Sequence, residues 1–196
     1  ILPPRPSTSR AGGPSRPRQL VIMALRMRPD RVSVGEVRDE EALDMRQPRN
    51  AGHDGSLTTI HATSPRDALY RPDTMIGMAN LNIPDKAIRQ QVASAINVVI
   101  QITRLSDGTR KVTSISEITG MEQDVITMQE IFAFKKTGID EKGTVIGAFR
   151  ATGIRPKCAD LLTTAGYPLP MDMFEHVHPV GQPAMTAAAG DPWRAR

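Results

Sequence analysis

The chain is poor in cysteine and in aromatic residues. A single cysteine, Cys158, occurs in 196 residues, which excludes an internal disulfide framework and fits a reducing compartment. Aromatic side chains make up only 4% of the sequence, so stacking platforms for single-stranded nucleic acid are not indicated. We expect Cys158 to be a buried, inert thiol.

Long apolar runs and a strong charge bias are also lacking. No apolar stretch approaches the roughly 18 residues that a membrane span needs, so the sequence predicts at most a peripheral membrane contact. Lysine plus arginine exceed aspartate plus glutamate by only 25 to 21, a mild excess that is a poor argument for a nucleic-acid partner. The length of 196 residues leaves room for one full domain, or for one domain and a small appendage, and is enough to bury a core; hydrophobic residues make up 39%.

Both ends of the chain have the composition of disordered segments. Residues 1–18 contain five prolines, four arginines and no acidic residue, which predicts a disordered basic arm. A helix is predicted for Gln19–Met27. At the other end, Pro156 is predicted to open a short helix that ends near Gly166, and the tail after Phe174 is predicted to be disordered.

Residues 31–62 have the pattern of a strand, a helix and a second strand. Val32, Val34 and Val37 form one short apolar run, and residues 57–60 form another, which suits buried strands. The segment between them opens with acids at Asp39 and closes at Gly52, as a helix would. Two strands joined in this way are expected to pair in parallel.

A polar residue follows each of these strands, Glu36 after the first and His61 after the second. Ligands of parallel sheets bind at the carboxyl ends of the strands, so a shared nucleotide site is one interpretation. Glu36 could activate a water, or hold Mg²⁺ through water, and His61 could donate to a phosphate oxygen. The alternative is structural: Glu36 pairs with an arginine such as Arg38, and His61 is a satisfied strand-end histidine.

The rest of the centre predicts two helices and two hairpins. Ser64 is a plausible cap, with Asp67 three residues on, for a helix that should run to Met78 but is interrupted by Pro72. The second helix covers residues 85–97. Asp107-Gly108 predicts a hairpin between strands 98–105 and 111–118, and a further antiparallel pair is predicted at 125–134 and 144–150.

The strings VGEVRDEEALDM and AGHDGSLTTIHATSPRDAL resemble the type II/IV secretion-system ATPases, most closely the CpaF/TadA-like motors of the tight-adherence (Flp) pilus. The resemblance runs from about Gln19 to Lys157. It implies an α/β fold, with a partial RecA-like P-loop NTPase core of parallel strands and helices plus antiparallel β hairpins. Residues 19–118 would be the carboxyl-terminal part of the ATPase domain, 119–157 a β annex, and 158–196 the short helix and tail.

The resemblance also implies a set of site residues. Glu36 matches the Walker B glutamate, and residues 52–61 match the histidine box, so Glu36 and His61 are the expected catalytic residues. Four further residues are expected near the nucleotide: Gly35, Arg38, Gly52 and His53. Two arginines, Arg66 and Arg71, are expected at a subunit interface. No direct metal ligand is expected, because Mg²⁺ would be held through water near Glu36.

ATP and Mg²⁺ are the cofactors that the resemblance implies, and a homo-hexamer working with inner-membrane platform proteins is the implied assembly. The implied location is the cytoplasm, with peripheral contact to the inner membrane.

The phosphate-binding string G-x-x-x-x-G-K-[ST] does not occur in these residues, and Pro48 stands inside a predicted helix. We therefore expect part of a secretion motor that is inactive alone, or alternatively a non-catalytic module that docks to such a ring or to its platform.

Overall fold

The computed structural model describes residues 17–36, 55–78, 83–175 and 177–180. Most of the predicted basic arm and the segment with Pro48 lie outside these residues. The predicted α/β class is confirmed, with parallel and antiparallel pairing both present. The elements in chain order are α1 Pro17–Arg26, β1 Val32–Val34, β2 Ser56–Thr58, α2 Pro65–Met78, α3 Asp85–Ala95, β3 Val98–Arg104, β4 Arg110–Glu122, β5 Val125–Ile139, β6 Val145–Ala151, α4 Cys158–Thr164, a 3₁₀ helix Met171–Phe174, and β7 Val177–Val180.

The chain divides into two compact units. The first unit comprises Ile1–Asn97 and Ile118–Met128, and the second comprises Val98–Glu117 and Gln129–Arg196. Strand β4 runs unbroken through residues 118 and 119, where the sequence predicts a change from ATPase domain to β annex. That division of function stays a prediction.

In the first unit, helix α1 begins at Pro17, two residues before the predicted start. Proline suits the first turn of a helix because its missing N–H would have no partner there. The prediction that residues 17 and 18 belong to a disordered arm is therefore wrong. Val21 is buried, and α1 contacts β1.

Helix α2 continues through Pro72, so the predicted interruption is also wrong. A proline inside a helix costs about 3 kcal/mol or more. Helix α2 recovers this cost by packing, since it buries Leu69 and Met75 and contacts α3, which buries Ile88 and Val92. Helix α3 ends at Ala95, close to its predicted end.

Arg89 of α3 connects three parts of the first unit. Its Nε donates to Asp73 of α2 at 2.8 Å, and an Nη donates to the carbonyl of Asp124 in the β4–β5 turn at 3.2 Å. Its guanidinium also lies 5.3 Å from the centre of the Tyr70 ring. The hydrogen bond to Asp73 raises the pKa of Arg89. The two helices and the turn are thus held by one permanently charged side chain.

The predicted hairpins are parts of one antiparallel sheet with strand order β3-β4-β5-β6-β7. The Asp107-Gly108 turn is confirmed: the Leu105 N–H donates to the Thr109 carbonyl at 2.8 Å, and Gly108 has φ +81°. Strand β7 contradicts the predicted disorder after Phe174. Its short sequence, VHPV, carries no strand signal, and Pro179 is tolerated because β7 is an edge strand that pairs only with β6 among the described strands.

All four phenylalanines lie in the second unit. Phe132 packs against Phe149 and Phe174, and Phe134 packs against Phe149, with ring centres 5.8 to 6.4 Å apart. Ile131, Ala159 and Phe174 are buried together at the centre of this unit. The four phenylalanines of the chain are therefore concentrated in the second unit.

A buried carboxylate joins helix α4 to strand β4. Glu117 is only 4% exposed, and its two oxygens accept the backbone N–H groups of Lys157 and Cys158, each at 2.9 Å. These are N–H groups that the first turn of a helix leaves without an intrahelical partner. Cys158 is half-buried rather than buried as predicted, and burial followed by the Glu117 charge raises the pKa of its thiol, which keeps it protonated.

Asp107 joins the β3–β4 turn to the start of β6. It accepts hydrogen bonds from the Thr109 hydroxyl at 2.7 Å and from the Val145 N–H at 2.7 Å. These bonds lower the pKa of Asp107 from 3.8 to about 2. Lys111 donates to the carbonyl of Val145 at 2.9 Å, so both backbone groups of Val145 are bound from this turn region.

Gly147→Ala is expected to destabilise the second unit. A Cβ at residue 147 would clash with the Phe134 ring and lie 2.6 Å from the Lys135 carbonyl oxygen. We expect a loss of about 1–3 kcal/mol in the free energy of unfolding, measured by denaturant titration. Gly138→Ala is the matched control, because a Cβ there meets nothing within 4 Å. Equal losses in both variants would contradict the steric explanation.

Asp107→Asn is expected to lower the melting temperature in a pH-dependent way. Because the folded state favours the Asp107 carboxylate, its contribution to stability is full above pH 3.8 and is lost as the pH falls towards 2. The difference in melting temperature between the two chains should therefore be largest near neutral pH and shrink as the pH falls through about 2. The exposed Glu141→Gln in the β5–β6 turn serves as the control. A difference that does not change with pH would reject the assignment.

Candidate functional site

The site is built on the parallel pair β1 and β2. Val32 pairs with Ser56, Ser33 with Leu57, and Val34 with Thr58, as predicted for parallel strands. Both strands are shorter than predicted: Ile60 lies beyond β2, and Val37 lies outside the described residues. The prediction of buried strands holds for Val32 but is wrong for Leu57, which is 67% exposed, because only two strands form this sheet within the described residues.

Glu36 and His61 meet just beyond the carboxyl ends of these strands. The Nε2 atom of His61 lies 3.1 Å from Oε1 of Glu36. The Glu36 side chain is 26% exposed, whereas that of His61 is 84% exposed. The predicted proximity is confirmed, and the exposed face of the imidazole stays open to a further ligand. A carboxylate beside an imidazole is an arrangement that can position a water or move a proton.

Two hydrogen bonds support the strand ends. The Thr59 hydroxyl donates to the carbonyl of Gly35, the residue before Glu36. At the amino ends, the Val32 N–H donates to the Gly55 carbonyl at 3.4 Å, and Gly55 has φ +134°, a conformation that favours glycine. The pair is therefore linked at both ends as well as along its ladder.

Helix α2 begins four residues after His61, and its start is capped as predicted. The Ser64 hydroxyl accepts the N–H of Asp67 at 3.1 Å, and Pro65 occupies the first helical position. The Asp67 carboxylate accepts the Thr63 hydroxyl in turn. Side-chain hydrogen bonds to this carboxylate, first from Thr63 and then from Ser64, lower the pKa of Asp67. The cap holds the chain directly after the site.

The structure brings together some of the predicted site residues but not all. Gly35, Glu36 and His61 lie at one strand edge, whereas Arg66 and Arg71 are exposed on α2. Arg38, Gly52 and His53 lie outside the described residues. Within the described part of the chain, no group of three histidine, cysteine or acidic residues could hold a metal ion.

Sequence reasoning missed Thr59 as a member of the site. Two adjacent threonines precede Ile60 and His61, and their types alone do not tell which hydroxyl reaches the neighbouring strand. The parallel register decides it, because Thr58 is the last residue of the ladder and Thr59 is the first beyond it.

A polar pair beyond parallel strand ends is typical of nucleotide-binding α/β proteins. The family model described as "Type II/IV secretion system protein" matches residues 15–154, which is more than half of the 196 residues. The chain belongs to this family.

Individual relatives cover shorter stretches. The chain is 38% identical over 103 residues to the type IV secretion system protein VirB11 of Bartonella henselae. This match covers 50% of this chain and 28% of that protein. It is 33% identical over 102 residues to the conjugal transfer protein TrbB of Rhizobium radiobacter, covering 52% of this chain and 30% of the relative.

One similar solved structure is the VirB11 ATPase of the Brucella suis type IV secretion system in complex with sulphate. It has 30% identity and a TM-score of 0.45, and the match covers 50% of this chain and 30% of that one. The chain thus spans about 30% of the length of the proteins that it matches.

No helix in the described ranges is both long and apolar enough to cross a membrane.

Ser64→Ala is expected to weaken helix α2. Removing the hydroxyl leaves the Asp67 N–H without its capping acceptor, and such changes cost about 1 kcal/mol. Denaturant unfolding should show this loss. Ser94→Ala in α3 is the control, because the Ser94 hydroxyl donates to the carbonyl of Gln91 in the same helix instead of capping an N–H. A loss in the control as large as that in Ser64→Ala would contradict the capping role.

Proposed function

We propose that this chain is part of an ATP-hydrolysing motor of type II/IV secretion or of Flp pilus assembly. The observation that carries the proposal is the 3.1 Å contact between Glu36 and His61 beyond two parallel strands. Membership of the secretion family supports it. The GEVR and histidine-box motifs further favour the CpaF/TadA-like branch.

Glu36 is the residue proposed to orient the attacking water. Its carboxylate is partly withdrawn from solvent yet retains 26% of its exposure, so a water can reach it. His61 would donate to a γ-phosphate oxygen, because its ring is largely exposed and its Nε2 is already held towards Glu36. In this arrangement the glutamate acts on the water and the histidine on the phosphate.

In this proposal Mg²⁺ would be held through water near Glu36. Glu36 offers one carboxylate at the site, and the described residues contain no cluster of three metal-ligating side chains. ATP would supply the phosphoryl group and Mg²⁺ the neutralising charge. The grip on the β- and γ-phosphates would come from a phosphate-binding loop, a string that these 196 residues do not contain.

A ring assembly follows from the same proposal. Residues that bind the phosphates and residues that position water must meet, and a homo-hexamer brings sites to its subunit interfaces. The exposed Arg66 and Arg71 on α2 are the candidates to reach a neighbouring subunit's phosphates. The proposed location is cytoplasmic, with inner-membrane platform proteins as partners.

A second function is a non-catalytic module that docks to such a ring or its platform. The site itself supports it, because Glu36 and His61 could assist a bound nucleotide but are too few contacts to hold one. Nucleotide turnover separates the two functions.

We expect the 196-residue chain alone to hydrolyse no ATP above background. Joined to the part of an intact VirB11-type relative that carries the phosphate-binding loop, the same residues should support hydrolysis that depends on Glu36. Glu36→Gln should lower kcat by about 100-fold or more, because the neutral amide cannot take a proton from the water as the carboxylate can. Steady-state phosphate release measures both quantities.

The matched control is Glu122→Gln, an exposed glutamate at the end of β4, which should leave kcat unchanged. Hydrolysis by the chain alone that disappears in Glu36→Gln would contradict the need for a separate phosphate loop. A folded chimera that binds ATP but whose turnover ignores Glu36→Gln would reject the motor proposal and favour the docking module.

A further inference from the structure

The link between β1 and β2 extends one residue beyond their backbone ladder. The ladder ends at the pair Val34 and Thr58. At the next position, the Thr59 hydroxyl donates to the Gly35 carbonyl oxygen. A side chain therefore takes over where backbone pairing stops.

Gly35 is the position that most needs such a link. It immediately precedes Glu36, it is exposed, and a Cβ placed on it would meet nothing within 4 Å. Glycine has wide backbone freedom, and no side chain of its own restricts it here. The carbonyl of Gly35 belongs to the peptide that carries the Glu36 N–H, so holding this oxygen limits rotation of the Glu36 backbone.

Thr59 is also only two residues before His61. Its backbone leads into the histidine, while its hydroxyl holds the peptide of the glutamate. One residue thus connects both members of the pair. We propose that Thr59 is a positioning residue that keeps the Glu36 carboxylate within hydrogen-bond distance of the His61 imidazole.

The significance of this role for hydrolysis rests on the proposed function, but the geometry can be tested without nucleotide. The readout is the His61 imidazole signal in ¹H–¹⁵N NMR spectra of the full chain, assigned with His61→Gln. Glu36→Gln should shift this signal in the parent chain, since the ring lies 3.1 Å from the carboxylate. In the Thr59→Val background the same Glu36→Gln change should shift it little or not at all.

Two further backgrounds separate positioning from general damage. Thr59→Ser keeps the hydroxyl and should restore the response to Glu36→Gln. Thr58→Val is the matched control, because the Thr58 hydroxyl is turned to the Thr59 carbonyl at 3.5 Å and not to the other strand, so the response should persist. Thr59→Ala provides a second hydroxyl-free variant besides Thr59→Val. In every variant, unchanged amide signals of Leu69 and Ile88 would show that the first unit stays folded.

A full response in both hydroxyl-free variants would overturn the proposal, as would its loss in Thr58→Val or its absence in the parent chain. These outcomes are independent of the ATPase assay. If the response behaves as expected but the chimera's turnover ignores Glu36, the positioning role stands and the proposed function falls. If the response is insensitive to Thr59 while turnover depends on Glu36, the proposed function stands and the positioning role falls.

Discussion

The parallel register of β1 and β2 is the constraint on which the candidate site depends. Val34 opposite Thr58 places Glu36 two residues beyond one strand and His61 three residues beyond the other. A slip by one residue would move the strands by about 3.3 Å and turn every side chain of one strand to the other face. The 3.1 Å contact between the two side chains would then be lost. The chemistry proposed here therefore begins with backbone hydrogen bonds in a pair of three-residue strands.

Carboxylates near strands have different surroundings in this chain. Glu117 is 4% exposed, and both of its oxygens accept backbone N–H groups at the start of α4, so its charge is used for structure. Asp107 does the same for the turn before β4 and the start of β6. Glu36 instead lies 3.1 Å from the imidazole of His61, a side chain that is 84% exposed. The comparison shows why a carboxylate in an apolar segment is not by itself a sign of catalysis.

Local signals in the sequence predicted the elements that local chemistry controls. The Asp107-Gly108 turn and the Ser64 cap were predictable because one or two residues determine them. Pro72 was misread because the cost of a proline depends on what its helix buries, and α2 contacts the separate helix α3. Strand β7 was missed for a related reason, since four residues with a proline become a strand only when β6 supplies the partner. Leu57 was predicted to be buried because a lone apolar pattern cannot show how many strands will cover it.

The sequence by itself determined the family, the α/β class and the parallel pairing. It also identified Glu36 and His61 as the polar residues after two strands. These features follow from motifs and from short periodic patterns. Only the tertiary structure decided which threonine reaches Gly35, which carboxylate is satisfied by backbone groups and which faces an open imidazole. These outcomes depend on distances between residues 24 to 41 positions apart in the chain. Such distances are set by strand register and packing, which no single stretch of sequence contains.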